Sequence, residues 1–287
     1  MIPILKHELR ACFHSLTAYV FGAFLLAFVG IGALLYNIQA AVSNFEYVLS
    51  FGCIVFAVIV PVLTMRVIAE ERKQKTVELM YSLPVSTVQV VVGKYLALLA
   101  VFALPMAVIS VYPAIFAGFG DVYLPTAYGS LFAFFLLGAA LIAVGVFLSS
   151  LTDSQGLAAG LGIAVILLNY YSVSLARFVS AAPEGSAIAL CIFAFLLALV
   201  IRHLTKNENL AYGVGIALVA ATTAAFFIDS SLFEGLLPKI MEELSLFERF
   251  SAFVNGLFDL TAVVYDLTVI ALFLFLSVQS LEKRRYN

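Results

Sequence analysis

The densest charge in this sequence lies between positions 66 and 94. There RVIAEERKQKTVELMYSLPVSTVQVVVGK gathers Arg66, Glu70, Glu71, Arg72, Lys73, Lys75, Glu78 and Lys94 in a chain otherwise poor in charge. Mixed charges at helical spacing carry out no group transfer, but they build a face that a second protein can grip. Nucleotide chemistry would need a phosphate cradle. The pair Gly93-Lys94 fails that pattern at both flanks, because position 88 is Val and position 95 is Tyr where Gly and Ser or Thr are required. The GxG pairs at Gly118, Gly160 and Gly213 sit in or beside apolar runs with no preceding strand, which suits close helix packing rather than dinucleotide binding. HExxH and GxSxG are absent, so no hydrolytic centre is visible. His7, Cys12 and His14 read as polar residues of an amphipathic helix, since no fourth ligand or standard spacing accompanies them, and no metal is expected. Asn169, Tyr170, Tyr171, Ser172 and Ser174 form the most polar stretch inside an apolar run. Two readings of it stay open: the lining of a wet path, and hydrogen bonds between helices. Asp266 stands near one end of the last apolar run, where snorkelling to water is expected rather than proton carriage.

The elements that must hold these residues follow from composition. Hydrophobic residues make up 64% of the 287 positions and charged ones 11%, with a mean hydropathy of +1.11. Soluble domains carry about 45–50% apolar and about 25% charged residues, so this chain belongs in a bilayer. Crossing about 30 Å of hydrocarbon takes about 20 helical residues. Runs of that order occur at 17–36, 47–67, 95–118, 128–150, 156–176, 186–203, 210–228 and 262–281, the sixth being the shortest. The expected fold is all-α, a polytopic transmembrane helix bundle of about eight spans. The first run is longer than a signal-peptide core of about 7–15 residues and is expected to be retained. An even number of spans puts both termini on one side. Placing them in the cytoplasm leaves only Arg177, Lys239 and Arg249 of the 15 Lys and Arg outside, as the positive-inside rule prefers. The net charge of −2 argues against nucleic acid as a partner. Cys12, Cys53 and Cys191 show neither a disulfide framework nor a thiolate metal site.

The whole chain, 1–287, reads as a single transmembrane domain with four special segments. Residues 1–16 put Ile4, Leu5, Leu9, Phe13 and Leu16 at helical spacing, which predicts an interfacial helix on the inner surface. Residues 66–94 form the largest inner loop, a cytosolic elbow. Within it Ser86 and Gln89 make a capping box, so a helix should start after the Pro84 break and run into the third span. Residues 186–228 form a hairpin of two spans. Residues 229–261 are too polar to cross and read as one or two outer amphipathic helices.

The stretch 61–97, PVLTMRVIAEERKQKTVELMYSLPVSTVQVVVGKYLA, closely resembles the signature of ABC type-2 exporter permeases, particularly the gliding-motility-like and copper-processing-like branches. Their pattern, P-x-LTMR-x-x-AEE, then K-x-x-T-x-EL, then P and GK, is met here from Pro61 to Lys94. The stretches 138–155 and 247–285, and the N-terminal KHELRACFHSLTAYV, agree with it. The resemblance implies a permease subunit of an ATP-binding-cassette exporter, not itself an enzyme, in a multi-pass cell membrane setting. It implies a translocation path formed as a dimer with a second copy or paralogue, and separate ATPase subunits that hold ATP and Mg. No cofactor is expected in this chain. By the same resemblance Arg66, Glu70, Glu71, Arg72, Lys75 and Glu78 couple to the ATPase, while Phe51, Phe56, Pro61, Asn169 and Tyr170 line the path. Membrane lipid, and an extracytoplasmic accessory protein, complete the partners it suggests. The commonest members have six spans, and the 186–228 hairpin departs from them.

Two other classes fit the spans. A secondary transporter driven by an ion gradient would want ionisable residues near the bilayer midplane and repeated halves, and neither is clear here. A membrane scaffold or sensor would lack substrate-stimulated ATP hydrolysis. The transported substrate leaves no trace in these residues.

Overall fold

The computed structural model describes residues 2–73, 86–179, 182–205 and 208–285. All regular structure among them is helical. The chain divides into two compact units, Met1–Tyr170 with Leu246–Asn287, and Tyr171–Ser245.

The first unit begins with α1 (Ile2–His14), the predicted amphipathic helix, followed by α2 (Leu16–Ala33), which runs on through a π-helical turn at Leu34–Gln39. Next come α3 (Glu46–Gly52), a 3-10 turn at Cys53–Val55, α4 (Phe56–Thr64) and the short α5 (Ala69–Lys73). Together α3 to α5 make one broken span. Then α6 (Thr87–Ile109) starts where the capping box predicts, with Ser86 Oγ accepting from the Gln89 N–H at 3.3 Å. It passes into the short α7 (Tyr112–Ala117). The long α8 (Leu124–Leu151), α9 (Gln155–Ala176), the short α13 (Leu246–Val254) and α14 (Leu260–Arg285) complete the set.

Helix α8 is the axis of this unit. Its most apolar stretch is 83% buried, against 33% for α2 and 22% for α14, so protein surrounds α8 while the others keep a face for lipid. Around its first half Phe56 and Phe134 approach to 4.6 Å between ring centres, Phe102 stacks on Phe135 at 5.3 Å, and Phe250 meets Phe134 at 5.9 Å. Offset and edge contacts of this kind add to the area that the rings bury. Helix α13 owes its place to this cluster: Phe247, Phe250 and Phe253 are buried, while Glu248 on its opposite face is exposed.

In the second unit α10 (Pro183–Thr205) and α11 (Glu208–Ile228) form a hairpin, closed where Gly215 meets Ala198. A 3-10 turn at Ser230–Phe233 follows, and then α12 (Leu236–Glu243), whose Leu237 N–H donates to the buried Ser186 Oγ at 3.2 Å. The segment 229–261 thus contains two amphipathic helices, one in each unit.

Among the described residues six helices are long and apolar enough to cross a membrane, or seven if the bent pair Tyr212–Ile228 and Ser230–Glu243 counts as one span. Of the eight spans expected, those at 186–203 and 210–228 lie in part outside the residues whose side chains are described. Within that hairpin the described part of α10 is apolar over Pro183–Phe195. The protein is an all-α polytopic membrane bundle.

Candidate functional site

The described charged residues at the root of the elbow do not stand alone on a solvated loop. The end of α4 carries the break from Met65 to Ile68, and a buried hydroxyl from α8 staples it. Ser149 Oγ accepts from the N–H groups of Ile68 at 3.3 Å and Ala69 at 3.2 Å, and donates to the Met65 carbonyl at 3.3 Å. Helix α5 could not start in a buried place with its first amides unpaired. Replacing Ser149 by alanine removes the shared acceptor and should cost about 1–3 kcal/mol. An unchanged thermal midpoint in detergent would refute the staple.

One turn further on, Glu71 and Arg72 leave α5 in different directions. Arg72 Nη1 lies 3.5 Å from Asp153 Oδ1 in the loop after α8, an ion pair whose acid is 67% exposed, worth about 0–1 kcal/mol. Glu71 Oε1 accepts from Lys94 Nζ at 2.5 Å, and Glu8 Oε1 of α1 accepts from the same ammonium at 2.8 Å. The Lys94 side chain is 1% exposed. A lysine near the start of an apolar helix would be costly without acid partners. Here the partners come from the two elements that flank the elbow root. Helix α1 is further fixed by Gly93, where a Cβ would come within 3.0 Å of Ile4.

These bonds join α1, α5, α6 and α8 into one braced block. The remaining basic residue of the root, Arg66, is exposed and donates from Nη1 to Thr17 Oγ1 at 3.3 Å, at the first turn of α2. Glu70 is half-buried beside it. Lys75 and Glu78 lie outside the described residues. Cys12 of α1 faces the same region, and burial, then the Glu8 carboxylate, raise its thiol pKa above the ordinary value.

The residues expected along a path separate in the structure. Phe51 is half-buried, stacked on Phe28 at 6.3 Å. Phe56 is fully enclosed in the aromatic core. Pro61 is buried against α9, where a Cβ on Gly162 would fall 2.9 Å from the proline ring. Asn169 serves as a helix cap, its Oδ1 accepting from the Leu246 N–H at 3.1 Å, and Tyr170 meets Phe247 edge-on at 5.0 Å. Asn169 thus makes a hydrogen bond between helices, and Tyr170 a ring contact.

One further expectation is corrected. Asp266 does not snorkel: it is 6% exposed, and its Oδ1 is buried without a hydrogen-bond partner among the described residues. The reason is α13, which packs on the start of α14 and puts Arg249 over the Tyr265 ring at 4.2 Å. Gly156 and Gly160, which have the spacing of a helix-pairing motif, meet no other helix within 4 Å among the described residues. Close approach falls instead to Gly138, Gly145 and Gly162, where a Cβ would collide with Phe102, Thr64 and Pro61.

Residues 33–281 match the family described as ABC-2 family transporter protein. No curated protein matches the chain. The match takes in the spans from the end of α2 to α14, the stapled break, Glu71 and Lys94 of the ion cluster and the asparagine cap, and leaves out α1 with Glu8. The chain belongs to the ABC-2 family of transporter proteins.

Proposed function

We propose that this chain is the permease subunit of an ATP-driven exporter, working as a pair of permeases in the cell membrane with separate ATPase subunits bound at the elbow. Family membership supports transport. The lack of any phosphate cradle in the sequence supports an external source of free energy. The observation that carries the coupling role is the bracing of the elbow root. A lever works only if its attachment is stiffer than the load, and this root is tied to α8 through Ser149 and to α1 and α6 through Lys94.

In this reading, ATP-driven closure of the partner subunits pushes on the elbow. The braced block then moves as a unit, and α4 carries the displacement into the bundle beside α8 and α9. A path between two permeases would open or close by such a rigid-body shift, with Phe51, Phe56, Pro61, Asn169 and Tyr170 on the elements that move. Assignment to the gliding-motility-like or copper-processing-like branch rests on the 61–97 signature alone.

The test uses Glu70 rather than Glu71, because reversing Glu71 would also break the Lys94 cluster. Tagged chain drawn from its native membrane should bring a nucleotide-hydrolysing subunit with it. Glu70→Arg should lower that recovered activity at least about tenfold while membrane insertion is unchanged. Full transport by the chain alone, in ATP-free vesicles under a proton gradient, would overturn the proposal in favour of a secondary transporter.

A further inference from the structure

Helix α1 lies across the start of α6 rather than along it. Ile4 is packed on Gly93, Glu8 is bonded to Lys94, and Cys12 still feels the Lys94 charge. The stretch from Ile4 to Cys12, about 12 Å of helix axis, therefore meets two consecutive residues of α6. The apolar run of α6 begins at Tyr95, one position later. At its other end only Ser15 separates α1 from α2 and the first span. Both ends of α1 are thus held at the depth where hydrocarbon gives way to headgroups.

The face that this packing leaves over is basic. With successive residues about 100° apart, Lys6, Arg10, His14 and His7 fall within an arc of about 100°, while Glu8 and Cys12 fall opposite. All four are exposed, and their side chains make no hydrogen bond or ion pair among the described residues. Glu8 is the sole acid of α1, and it is turned onto Lys94. Glu71 of α5 lies within electrostatic reach of His7, but Lys94 holds that carboxylate too. The arc therefore lacks a counter-charge of its own. Beside its Lys6 edge Phe13 is exposed, and Leu16 is exposed just beyond the end of the helix. A face meant for water gains nothing from such an apolar border. At a bilayer boundary the same border meets acyl chains while the cations meet headgroups. An acidic protein surface would match the charge and leave Phe13 and Leu16 unexplained.

We infer that the arc of Lys6, His7, Arg10 and His14 binds the headgroups of anionic phospholipids in the inner leaflet, beside the root of the elbow. The inference rests on the membrane reading and on the cytoplasmic placement of the termini. Lys6 and Arg10 supply the charge, and His7 and His14 add N–H donors for phosphate oxygens. A Lys or Arg close to an anionic membrane surface is worth about fivefold in occupancy, so the pair gives about 25-fold over a zwitterionic choline lipid.

The sequence contains no tryptophan, so Phe13→Trp places a single indole at the border of the arc. The full chain with this substitution is put into choline-phospholipid bilayers that contain brominated phosphatidylglycerol or brominated phosphatidylcholine. Bromine quenches only a neighbouring indole, and the two quenching curves give the relative occupancy of the two lipids there. The anionic lipid should reach equal quenching at a mole fraction about 25-fold lower. Lys6→Gln with Arg10→Gln should bring the curves together, and Lys6→Arg with Arg10→Lys should keep them apart. Raising the ionic strength from about 0.1 M to about 1 M, which shortens the screening length from about 10 Å to about 3 Å, should shrink the preference. Equal quenching by both lipids on the unaltered arc would overturn the inference. Quenching by neither would overturn it by placing α1 off the membrane surface. A preference abolished by millimolar inorganic phosphate would overturn it in favour of a free-anion site. Equal quenching combined with shielding of Lys6 from an acylating reagent only when the ATPase is bound would assign the arc to a protein instead. Neither nucleotide nor partner enters the lipid comparison, so its failure leaves the permease reading standing, and failure of the ATPase recovery leaves the lipid preference standing.

Discussion

Replacing Lys94 by methionine should destabilise the inner end of the bundle more than any other single change there. The methionine fills the space of the lysine stem, so little packing is lost and the effect is electrostatic. Two carboxylates that shared one ammonium, at 2.8 and 2.5 Å, would remain close together without it. Removing one partner of a buried ion pair costs about 3–5 kcal/mol. Glu8 is 15% and Glu71 27% exposed, so some water reaches both, which puts the expected loss at the lower end of that range. Glu8→Gln leaves Lys94 with Glu71 and should cost less, about 1–3 kcal/mol. The decisive comparison is the triple variant Lys94→Met, Glu8→Gln, Glu71→Gln. Neutral groups of similar shape carry no uncompensated charge, so the triple variant should recover most of the midpoint that the single one loses. Thermal unfolding in detergent measures this, and protease cleavage within α1 shows whether that helix has come loose. Wild-type behaviour of Lys94→Met in both assays would remove the cluster from any account of how the elbow is held.

Much of the bundle was legible because hydropathy and caps act locally. A lipid solvent forces runs of about 20 apolar residues, and the Ser86 cap marks the start of α6 without reference to anything distant. The faces that meet were not legible. Gly156 and Gly160 have the helix-pairing spacing, yet no other helix among the described residues comes within 4 Å of them, while Gly145 has no such partner four residues away and makes one of the tightest crossings. Spacing shows that a surface is small and leaves open what it touches. The ion cluster was hidden for a similar reason. Lys94 bonds to Glu8 across 86 positions and to Glu71 across 23, distances at which helical periodicity says nothing. One signal was present, a lysine inside VVVGKYLALL, whose desolvation demands acids from elsewhere. Asp266 misled in the opposite direction. Its place near the end of a span predicted water, and only the folding back of α13 over α14 excludes it.

Substituting leucine at Gly145 should be as damaging as the loss of Lys94, by a steric route. Even the first added carbon would overlap the Thr64 side chain, lying 2.9 Å from its Cβ and closer still to Oγ1 and Cγ2. Thr64 cannot step aside. It is 2% exposed, branched at Cβ, and its hydroxyl donates to the Val60 carbonyl at 3.0 Å. Helix α4 must then move away from α8. Overpacking of this kind costs about 1–3 kcal/mol for a small group and more for a leucine. The displacement also reaches the elbow, because Ser149 holds the Ile68 and Ala69 amides from the same helix α8, four residues further along. Gly145→Leu should therefore lower the unfolding midpoint and detach the root of the elbow together. Thr64→Ala should partly suppress the milder Gly145→Ala, since it removes Oγ1 and Cγ2 but keeps the Cβ at 2.9 Å. Gly160→Leu is the control, as a Cβ there meets nothing within 4 Å. If Gly145→Leu and Gly160→Leu unfold at the same temperature, the α4–α8 crossing described here is wrong, and with it the rigid connection between the elbow and the core of the bundle.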